Sequence, residues 1–337
     1  MRYLVTGDAG FIGFHVARRL LEAGHAVLGL DGLTDYYDVD LKRRRLAQLA
    51  AFPAFAHVTM TLEDHAGLLE QFACFEPEIV IHLAAQAGVR YSIENPRAYV
   101  SANIIGTFNI LEACRAHPVA HLLLASTSSA YGANDKYPFE ETDRAVHPIT
   151  LYAASKASSE LMAHSYAHLF GTPTTAFRFF TVYGPWGRPD MAYFLFTKKI
   201  LEGEPIDVFN NGESWRDFTY IDDLVGSILL LAGKAPPLSN AREGLVPIPG
   251  DTLSPVAPYR LVNIGAGQPA KVADLIDEIE RALGVAATRV MKPLPAGDVI
   301  RTFANADLLL AITGQKPSTP LAIGVPEFVR WYRQHYN

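Results

Sequence analysis

A tyrosine and a lysine four residues apart could carry acid–base chemistry. Tyr152 and Lys156 lie in the segment LYAASK, at the start of a stretch with helical periodicity. This spacing puts both side chains on one helix face. Because an ammonium group stabilises a phenolate, Lys156 could lower the pKa of Tyr152 toward neutrality and let the phenol act as a base. The spacing is common by chance, so its meaning depends on what lies beside it.

A second polar segment is expected beside this pair. LASTSSAYG ends an apolar run of strand length and contains Thr127, Ser128 and Ser129. In an open parallel sheet, ligands bind outside the carboxyl ends of the strands. The segment is therefore predicted to lie at the sheet edge where a ligand would sit.

A glycine-rich turn near the N-terminus predicts a dinucleotide site. GDAGFIG follows the first strand and opens a helix over Phe11–Ala23, and its cofactor residues are Gly7, Gly10, Phe11, Ile12 and Gly13. Backbone amides and the helix dipole at such a turn can receive a pyrophosphate. Three glycines are also compatible with a plain turn, but the strand–turn–helix context favours the cofactor.

An acidic residue at the end of the second strand selects the cofactor. Asp31 follows the glycine turn by about 20 residues, where a carboxylate can accept hydrogen bonds from both adenosine ribose hydroxyls. It would repel a 2′-phosphate, so NAD is favoured over NADP. The positive nicotinamide ring of NAD would add to the effect of Lys156 in lowering the pKa of Tyr152. The alternative is that Asp31 only caps a turn before Gly32.

The elements that position these residues alternate between strand-like and helix-like segments. RYLVTG, AVLGLD, EIVIHLA, HLLLAST and TTAFRFF are predicted as buried strands. The fold class is α/β, a Rossmann doubly wound parallel sheet with a smaller α/β substrate-binding lobe. We predict a NAD-binding domain at 1–180, with return segments near 216–233 and 261–265, and a substrate-binding lobe mainly at 181–337. Segment 234–259 is predicted as a long surface excursion, and VADLIDEIERALG and PEFVRWYRQHY as helices.

Composition excludes several classes of protein. The net charge is −6, which argues against a nucleic-acid partner, and no apolar run is long enough to cross a membrane. No signal peptide is recognised, and two cysteines form neither a disulfide framework nor a metal motif. A cytoplasmic location is therefore expected.

Two weaker patterns are given structural interpretations. The basic run KRRR at 42–45 is predicted to be a solvated helix face. His164 and His168 have the spacing of a zinc pair but no third ligand, so they are predicted to be ordinary packing residues and no metal is expected.

The order of the motifs resembles a known family. The glycine turn, the ribose acid, HLAAQ, STSSAYG, YAASK and RDFTYIDD occur as in the NAD-dependent sugar-nucleotide epimerases and dehydratases, which are extended short-chain dehydrogenases/reductases. Longer stretches, DGLTDYYDVDLKRRRL, HLAAQAGVRYSIENP and RFFTVYGPWGRPDM, are similar to the members that epimerise UDP-glucuronate at carbon 4. The resemblance covers nearly the whole chain and adds Leu83, Ala84, Ala85 and Gln86 to the expected cofactor contacts.

The resemblance implies a reaction. Thr127, Tyr152 and Lys156 would form the catalytic set, with Tyr152 taking the proton of the sugar 4-hydroxyl while carbon 4 gives hydride to NAD. The 4-keto sugar would turn over and receive hydride on its other face, which requires tightly held NAD regenerated in each cycle. UDP-glucuronate would become UDP-galacturonate.

The residues after Thr127 discriminate between relatives. Dehydratases have an Asp-Glu pair there, and decarboxylases a glutamate nearby, whereas Ser128 and Ser129 supply neither acid nor base. Epimerisation without elimination is favoured. Oxidation of glucuronate creates a β-keto acid that loses carbon dioxide readily, and we hypothesise that Thr127, Ser128, Ser129 and Thr181 hold its carboxylate out of the reactive alignment.

The UDP contacts are assigned by the same resemblance. Arg188 and Arg216 would bind phosphate or carboxylate, with Arg301 as a further candidate, since a guanidinium suits both anions. Asp298 would bind the uridine ribose, and Val208 and Phe209 would line the base pocket. Surface salt bridges are the alternative for each arginine. Thr61 and Pro295 depart from the family, where an adenine-binding aspartate and a phosphate-binding arginine are usual.

Three alternatives stay open. A UDP-glucose/galactose 4-epimerase and a UDP-glucuronate decarboxylase are neighbouring enzymes, and a noncatalytic NAD-binding protein could use the same fold. A homodimer formed through the helices at 94–116 and 151–170 is also expected from the resemblance.

Overall fold

The computed structural model describes residues 1–238, 241, 244, 246–294 and 299–336. The strands are β1 Arg2–Thr6, β2 Ala26–Asp31, β3 Phe55–Thr59, β4 Ile79–His82, β5 His121–Thr127, β6 Thr174–Phe179, β7 Thr181–Tyr183, β8 Ile206–Phe209, β9 Trp215–Tyr220, β10 Tyr259–Ile264, β11 Pro269–Lys271, β12 Arg289–Lys292 and β13 Arg301–Thr302. The α-helices are α1 Phe11–Glu22, α2 Val39–Leu49, α3 His65–Phe75, α4 Tyr91–Glu94, α5 Pro96–Tyr99, α6 Gly106–Ala116, α7 Leu151–Phe170, α8 Ala192–Leu201, α9 Ile221–Ala232, α10 Val272–Leu283, α11 Asp307–Thr313 and α12 Leu321–Tyr336.

A seven-stranded parallel sheet forms the centre of the molecule, in the order β10-β6-β5-β4-β1-β2-β3. The chain builds outward from β1 through β2 to β3 and then crosses back to place β4 on the other side of β1. This reversal opens a crevice between the carboxyl ends of β1 and β4. The predicted fold class is confirmed, while the division into domains at residue 180 stays a prediction.

The strands are buried on both faces. Along β1, Val5 belongs to a core shared with α1 and α9, whereas Leu4 belongs to a second core shared with α3, α6 and α7. Alternating side chains point to opposite faces, so a strand between two helical layers has to be apolar throughout. The sequence prediction missed β3, since this edge strand is only partly buried and has no continuous apolar run.

The second lobe lies beside the carboxyl edge of the large sheet. Its strands form a small sheet around β9, which pairs with β7, β11 and β13, and a parallel pair of β8 with β12. Aromatic and aliphatic side chains of α8, α10 and α12 extend the first core into this lobe. The two predicted C-terminal helices are present as α10 and α12, and among the described residues no helix has the length and apolar character needed to cross a membrane.

The basic run at 42–45 contradicts the predicted solvated face. The side chain of Arg45 is fully buried and Lys42 is 4% exposed. Arg45 donates hydrogen bonds to the carbonyl oxygens of Ala9 at 2.8 Å, Trp186 at 2.6 Å and Gly187 at 3.1 Å. These bonds tie the glycine turn to the 184–191 loop. Arg45 therefore points into the protein because buried backbone carbonyl groups there need a hydrogen-bond donor.

Replacing Arg45 tests this interpretation. We expect Arg45→Met to lower the free energy of unfolding by about 3 kcal/mol, because it leaves buried carbonyl groups without donors. Urea unfolding followed by circular dichroism measures the change. The matched control is Arg43→Met, since Arg43 is exposed and forms a surface ion pair with Asp40, and it should change stability by less than about 0.5 kcal/mol. Equal effects of the two variants would contradict the structural role of Arg45.

Candidate active site

A deep cleft opens at the carboxyl edge of the large sheet, beside the ends of the neighbouring strands β1 and β4. It brings together twelve residues predicted from sequence to bind cofactor or catalyse: Gly7, Gly10, Phe11, Ile12, Gly13, Asp31, Leu83, Ala84, Ala85, Gln86, Tyr152 and Lys156. Thr127 and Arg188 line the same cleft. The residues predicted to act in one reaction therefore share one cavity.

The glycine turn has the geometry of a phosphate cradle. Gly7 has a φ of +78°, and a Cβ on Gly13 would lie 1.9 Å from the Gly7 carbonyl oxygen. The turn can close this tightly only without side chains, which lets a ligand approach the backbone. α1 starts here without a side-chain cap, so its first amide groups can serve an anion. The turn therefore fits a dinucleotide pyrophosphate.

The adenosine end of the cleft is formed by the ends of β2 and β3. Asp31 accepts a hydrogen bond from the amide of Leu33 at 2.7 Å while lining the cleft. Thr61, which departs from the family pattern, and Lys42 also line it. Asp31 thus both caps the turn and faces the cavity, so the two alternatives weighed for it are compatible.

Buried hydrogen bonds hold the end of β4 against the glycine turn. The Thr6 hydroxyl accepts from the amides of Leu83 at 3.1 Å and Ala84 at 3.0 Å. Further along, Asn103 accepts from the Gln86 amide at 2.7 Å and donates to the Ser155 hydroxyl at 2.9 Å. This asparagine lies in a π-helical stretch between α5 and α6, a distortion often found at functional sites. Sequence periodicity did not reveal its role.

Tyr152 and Thr127 meet at the floor of the cleft. Burial raises the pKa of Tyr152 above its usual value, while a hydrogen-bonding interaction with Thr127 and the charge of Arg188 act to lower it. In the protein alone, desolvation outweighs these two groups, so the fall toward neutrality that is expected with NAD bound stays a prediction. The positive charge of an oxidised nicotinamide would lower the pKa of Tyr152 and so favour its action as a base.

Lys156 is the buried cation of the site. Its side chain is 2% exposed, and burial lowers its pKa to about 8, with the charge of Glu160 acting in the opposite direction. The lysine remains mainly protonated at neutral pH. It can therefore donate hydrogen bonds and supply positive charge on the same helix face as Tyr152.

The predicted substrate residues fall into two groups. Ser128 and Ser129 begin a single 3₁₀ turn directly after Thr127, and Thr181 is the first residue of β7. Arg216 lies on β9 beside β13, which carries Arg301, while Val208 and Phe209 end β8. None of these seven lines the cofactor cleft. Asp298 and Pro295 lie outside the described residues.

The arginines have partners within the protein. Arg188 forms a bidentate pair with Asp190, at 3.0 and 2.5 Å. Arg216 donates to the carbonyl oxygens of Trp215 at 2.9 Å and Ile300 at 3.3 Å. Arg301 lies over the Trp215 ring, 5.2 Å from its centroid. Arg188 is therefore held in place at the cleft, whereas Arg216 and Arg301 lie together in the second lobe.

Sequence reasoning missed two contacts between segments near the cleft that are far apart in the chain. Tyr36, in the loop after β2, donates a hydrogen bond of 3.0 Å to Asp190 in the loop before α8. Burial, and after it the neighbouring carboxylate of Asp190, raise the pKa of Tyr36 to about 12, so it stays a donor at neutral pH. On the other side, Arg90 lies 5.0 Å from the ring centre of Phe209 and joins the end of β4 to the second lobe. No local motif marks contacts between loops this far apart in sequence.

The histidine pair on α7 has a structural role. His164 hydrogen-bonds the Ser254 hydroxyl at 2.8 Å, and His168 the Val256 carbonyl oxygen at 2.8 Å. Both anchor the excursion that follows α9, as expected for packing residues. Within the described ranges, no group of three potential metal ligands is found.

The fold and the cleft define a dinucleotide-binding enzyme with a tyrosine–lysine pair, and comparisons narrow the class. The sequence model of the NAD dependent epimerase/dehydratase family matches residues 3–239. The chain is 58% identical to a probable UDP-glucuronate 4-epimerase of Rhizobium meliloti (strain 1021), over 100% of this chain and 98% of that one. This chain belongs to the NAD dependent epimerase/dehydratase family, which confirms the predicted family and cofactor.

Solved structures agree with this assignment. A UDP-glucuronic acid 4-epimerase from Bacillus cereus, crystallised with UDP-glucuronic acid and NAD, superposes with a TM-score of 0.88 at 30% identity and covers both chains completely. A UDP-glucose 4-epimerase from Thermotoga maritima, in complex with UDP-glucose, gives a TM-score of 0.85 at 31% identity, also over both whole chains. The likeness extends over both lobes.

A single methyl group in the glycine turn should weaken cofactor binding. We expect Gly13→Ala to raise the Kd for NAD at least about tenfold, because the added Cβ collides with the Gly7 carbonyl and opens the cradle. Calorimetric titration of NAD into cofactor-depleted protein measures this. Gly226→Ala on α9 is the control, since its Cβ would meet nothing within 4 Å, and it should leave the Kd unchanged. Unaltered affinity in Gly13→Ala would show that this turn does not bind the cofactor.

Proposed function

We propose that this protein is a UDP-glucuronate 4-epimerase that interconverts UDP-glucuronate and UDP-galacturonate through a transient 4-keto sugar. One observation carries the proposal: Thr127, Tyr152 and Lys156 meet beside the glycine cradle, in a chain 58% identical over its whole length to a relative named for this activity. Ser128 and Ser129, in place of the acids of dehydratases, support epimerisation without elimination.

Each residue of the set has a separate task. Tyr152 takes the proton from the sugar 4-hydroxyl and later returns it, while Thr127 hydrogen-bonds the same oxygen. Lys156 would hold the nicotinamide ribose and supply positive charge to the phenolate. The glycine cradle would hold NAD, which would supply the acceptor for the hydride of carbon 4 and its return to the other face of the sugar ring.

The carboxylate of the sugar must be restrained while carbon 4 is a ketone. Ser128 and Ser129 directly follow Thr127, and the Ser129 amide donates a 3.2 Å hydrogen bond to the Thr127 hydroxyl. We assign these serines, with Thr181, to holding the carboxylate in the plane of the carbonyl group, where loss of carbon dioxide is slow. Arg188, Arg216 and Arg301 neutralise the anionic groups of the substrate, Val208 and Phe209 contact the base, and Asp298 is assigned to the ribose.

The cofactor should stay bound between turnovers. The Tyr36–Asp190 hydrogen bond joins the loop after β2 to the loop before α8, and Arg45 fastens the second of these loops to the glycine turn. A loop held at both places favours reuse of one NAD molecule over exchange.

The proposed assembly is a homodimer in the cytoplasm. Apolar side chains on neighbouring helices are exposed, including Ile105 at 45%, Phe108 at 43% and Leu161 at 74%. An apolar patch on adjacent helices is typical of a subunit interface. Two free cysteines, Cys74 and the buried Cys114, are consistent with a reducing compartment.

Product analysis tests the function directly. Purified protein incubated with UDP-glucuronate and no added NAD should form UDP-galacturonate, identified by chromatography against standards. Tyr152→Phe should lower the rate at least about 100-fold while retaining bound NAD, because only the proton acceptor is lost. Turnover of UDP-glucose alone would identify a UDP-glucose epimerase, and a UDP-pentose as the main wild-type product would identify a decarboxylase.

The same assay tests the restraint of the carboxylate. The double variant Ser128→Ala, Ser129→Ala should release UDP-pentose and raise the KM for UDP-glucuronate, because the carboxylate loses the hydrogen bonds that hold it in the plane of the carbonyl group. A product mixture and KM equal to those of wild type would remove the assigned role of the serines.

A further inference from the structure

A buried ion pair lies behind the catalytic residues and was not predicted from sequence. Glu160 is on α7, one turn after Lys156, and Arg178 is on β6. Arg178 donates to the two carboxylate oxygens of Glu160 at 2.9 and 2.7 Å. Their side chains are 3% exposed for Arg178 and 9% for Glu160. A buried bidentate pair has fixed geometry, so it can transmit position from a strand to a helix.

This pair holds both ends of the segment that carries Thr127, Ser128 and Ser129. Before it, the Ser126 hydroxyl donates a short hydrogen bond to Glu160. After it, the guanidinium of Arg178 lies over the ring of Tyr131, 4.3 Å from the centroid. Tyr131 in turn donates a 2.7 Å hydrogen bond to Asn263 on β10. The turn that would hold the sugar oxygen and carboxylate is therefore anchored at each end by one ion pair.

We propose that Glu160 and Arg178 are positioning residues, which fix the Thr127–Ser129 turn relative to Tyr152 and place a buried negative charge beside Lys156. The proposal rests on the proposed function for the identity of the substrate, and on geometry for the roles of the two residues. Neither side chain lines the cofactor cleft, so both act through the residues they hold.

The charges around Lys156 make the contribution of Glu160 distinct. On β4, burial and the charge of Lys156 lower the pKa of His82 to about 3, so this neighbour is neutral. On β10, Tyr259 is a neighbour of Glu160; burial and the charge of Glu160 raise its pKa well above its usual value, so it is neutral too. The carboxylate of Glu160 is the charge that raises the pKa of Lys156. Without it, Lys156 would lose its proton closer to neutral pH.

The experiment compares three variants of the NAD-loaded protein. Glu160→Gln removes the negative charge and leaves Arg178 unpaired, whereas Glu160→Gln with Arg178→Met removes the whole pair and avoids an isolated buried cation. The matched control is Asp251→Asn. Asp251 accepts bonds of 2.8 and 2.9 Å from Arg260, another largely buried bidentate pair, at the amino end of β10 and away from the cleft.

Two measurements are made on each variant. Titration of isotopically labelled lysine by NMR, with the Lys156 signal assigned by Lys156→Arg, should show the Lys156 pKa lowered by about one unit in Glu160→Gln and by less in the double variant. The alkaline limb of the pH profile of kcat should move to lower pH by the same amount, and the KM for UDP-glucuronate should rise, because the turn that loses its anchor carries the serines assigned to the carboxylate. Asp251→Asn should leave both unchanged.

An unchanged pKa of Lys156 in the folded double variant would overturn the proposal. An equal pKa shift in Asp251→Asn would also overturn it, because the shift would then reflect a general loss of rigidity and not the charge of Glu160. The lysine titration needs no substrate. It therefore decides the role of Glu160 even if the protein fails to turn over UDP-glucuronate, an outcome that would count only against the proposed function.

Discussion

The site depends on keeping a cation charged where water is nearly excluded. Transfer of an ammonium group into a protein interior is costly, and the lowered pKa of Lys156 reflects that cost. The charge is useful only if Tyr152 lies on the same helix face and a sheet edge brings the ligand to both. α7 meets these requirements because it packs behind β5 and β6 and carries the phenol, the ammonium and the carboxylate of Glu160 at intervals of about one turn.

Rigid and adaptable parts of the molecule have different tasks. The ends of the parallel strands and the glycine turn are fixed by backbone contacts too close for side chains, as at Gly13. The second lobe supplies the arginines and aromatic rings, and it meets the first through loop contacts such as Tyr36 with Asp190. A keto sugar that must present both faces to one cofactor needs catalytic groups at fixed positions and space in which to turn. We assign the first task to the strand ends of the large sheet and the second to the loops of the second lobe.

Much of this arrangement is local in sequence and could be predicted. The glycine turn and Asp31 lie within one strand–turn–helix–strand unit, the Tyr152–Lys156 pair lies within one helix, and the central strands are recognisable as apolar runs. The edge strand β3 lacks such a run because one side meets solvent. Arg45 and Glu160 could not be assigned, since a charged residue on an amphipathic helix looks solvated until a distant strand or loop supplies its partner. Burial also raises the pKa of Tyr152, and the spacing of residues does not show how deeply the phenol is buried.

The fate of the hydrogen on carbon 4 tests the central claim most directly, namely that one buried site removes a hydride and returns it to the same carbon. UDP-glucuronate deuterated at carbon 4 is converted in ordinary water, and the product is examined by mass spectrometry and NMR. Full retention of deuterium at carbon 4 of UDP-galacturonate is the predicted result. Replacement of that deuterium by hydrogen from the solvent would contradict the account, because inversion would then proceed by proton exchange and not by hydride held within the cleft.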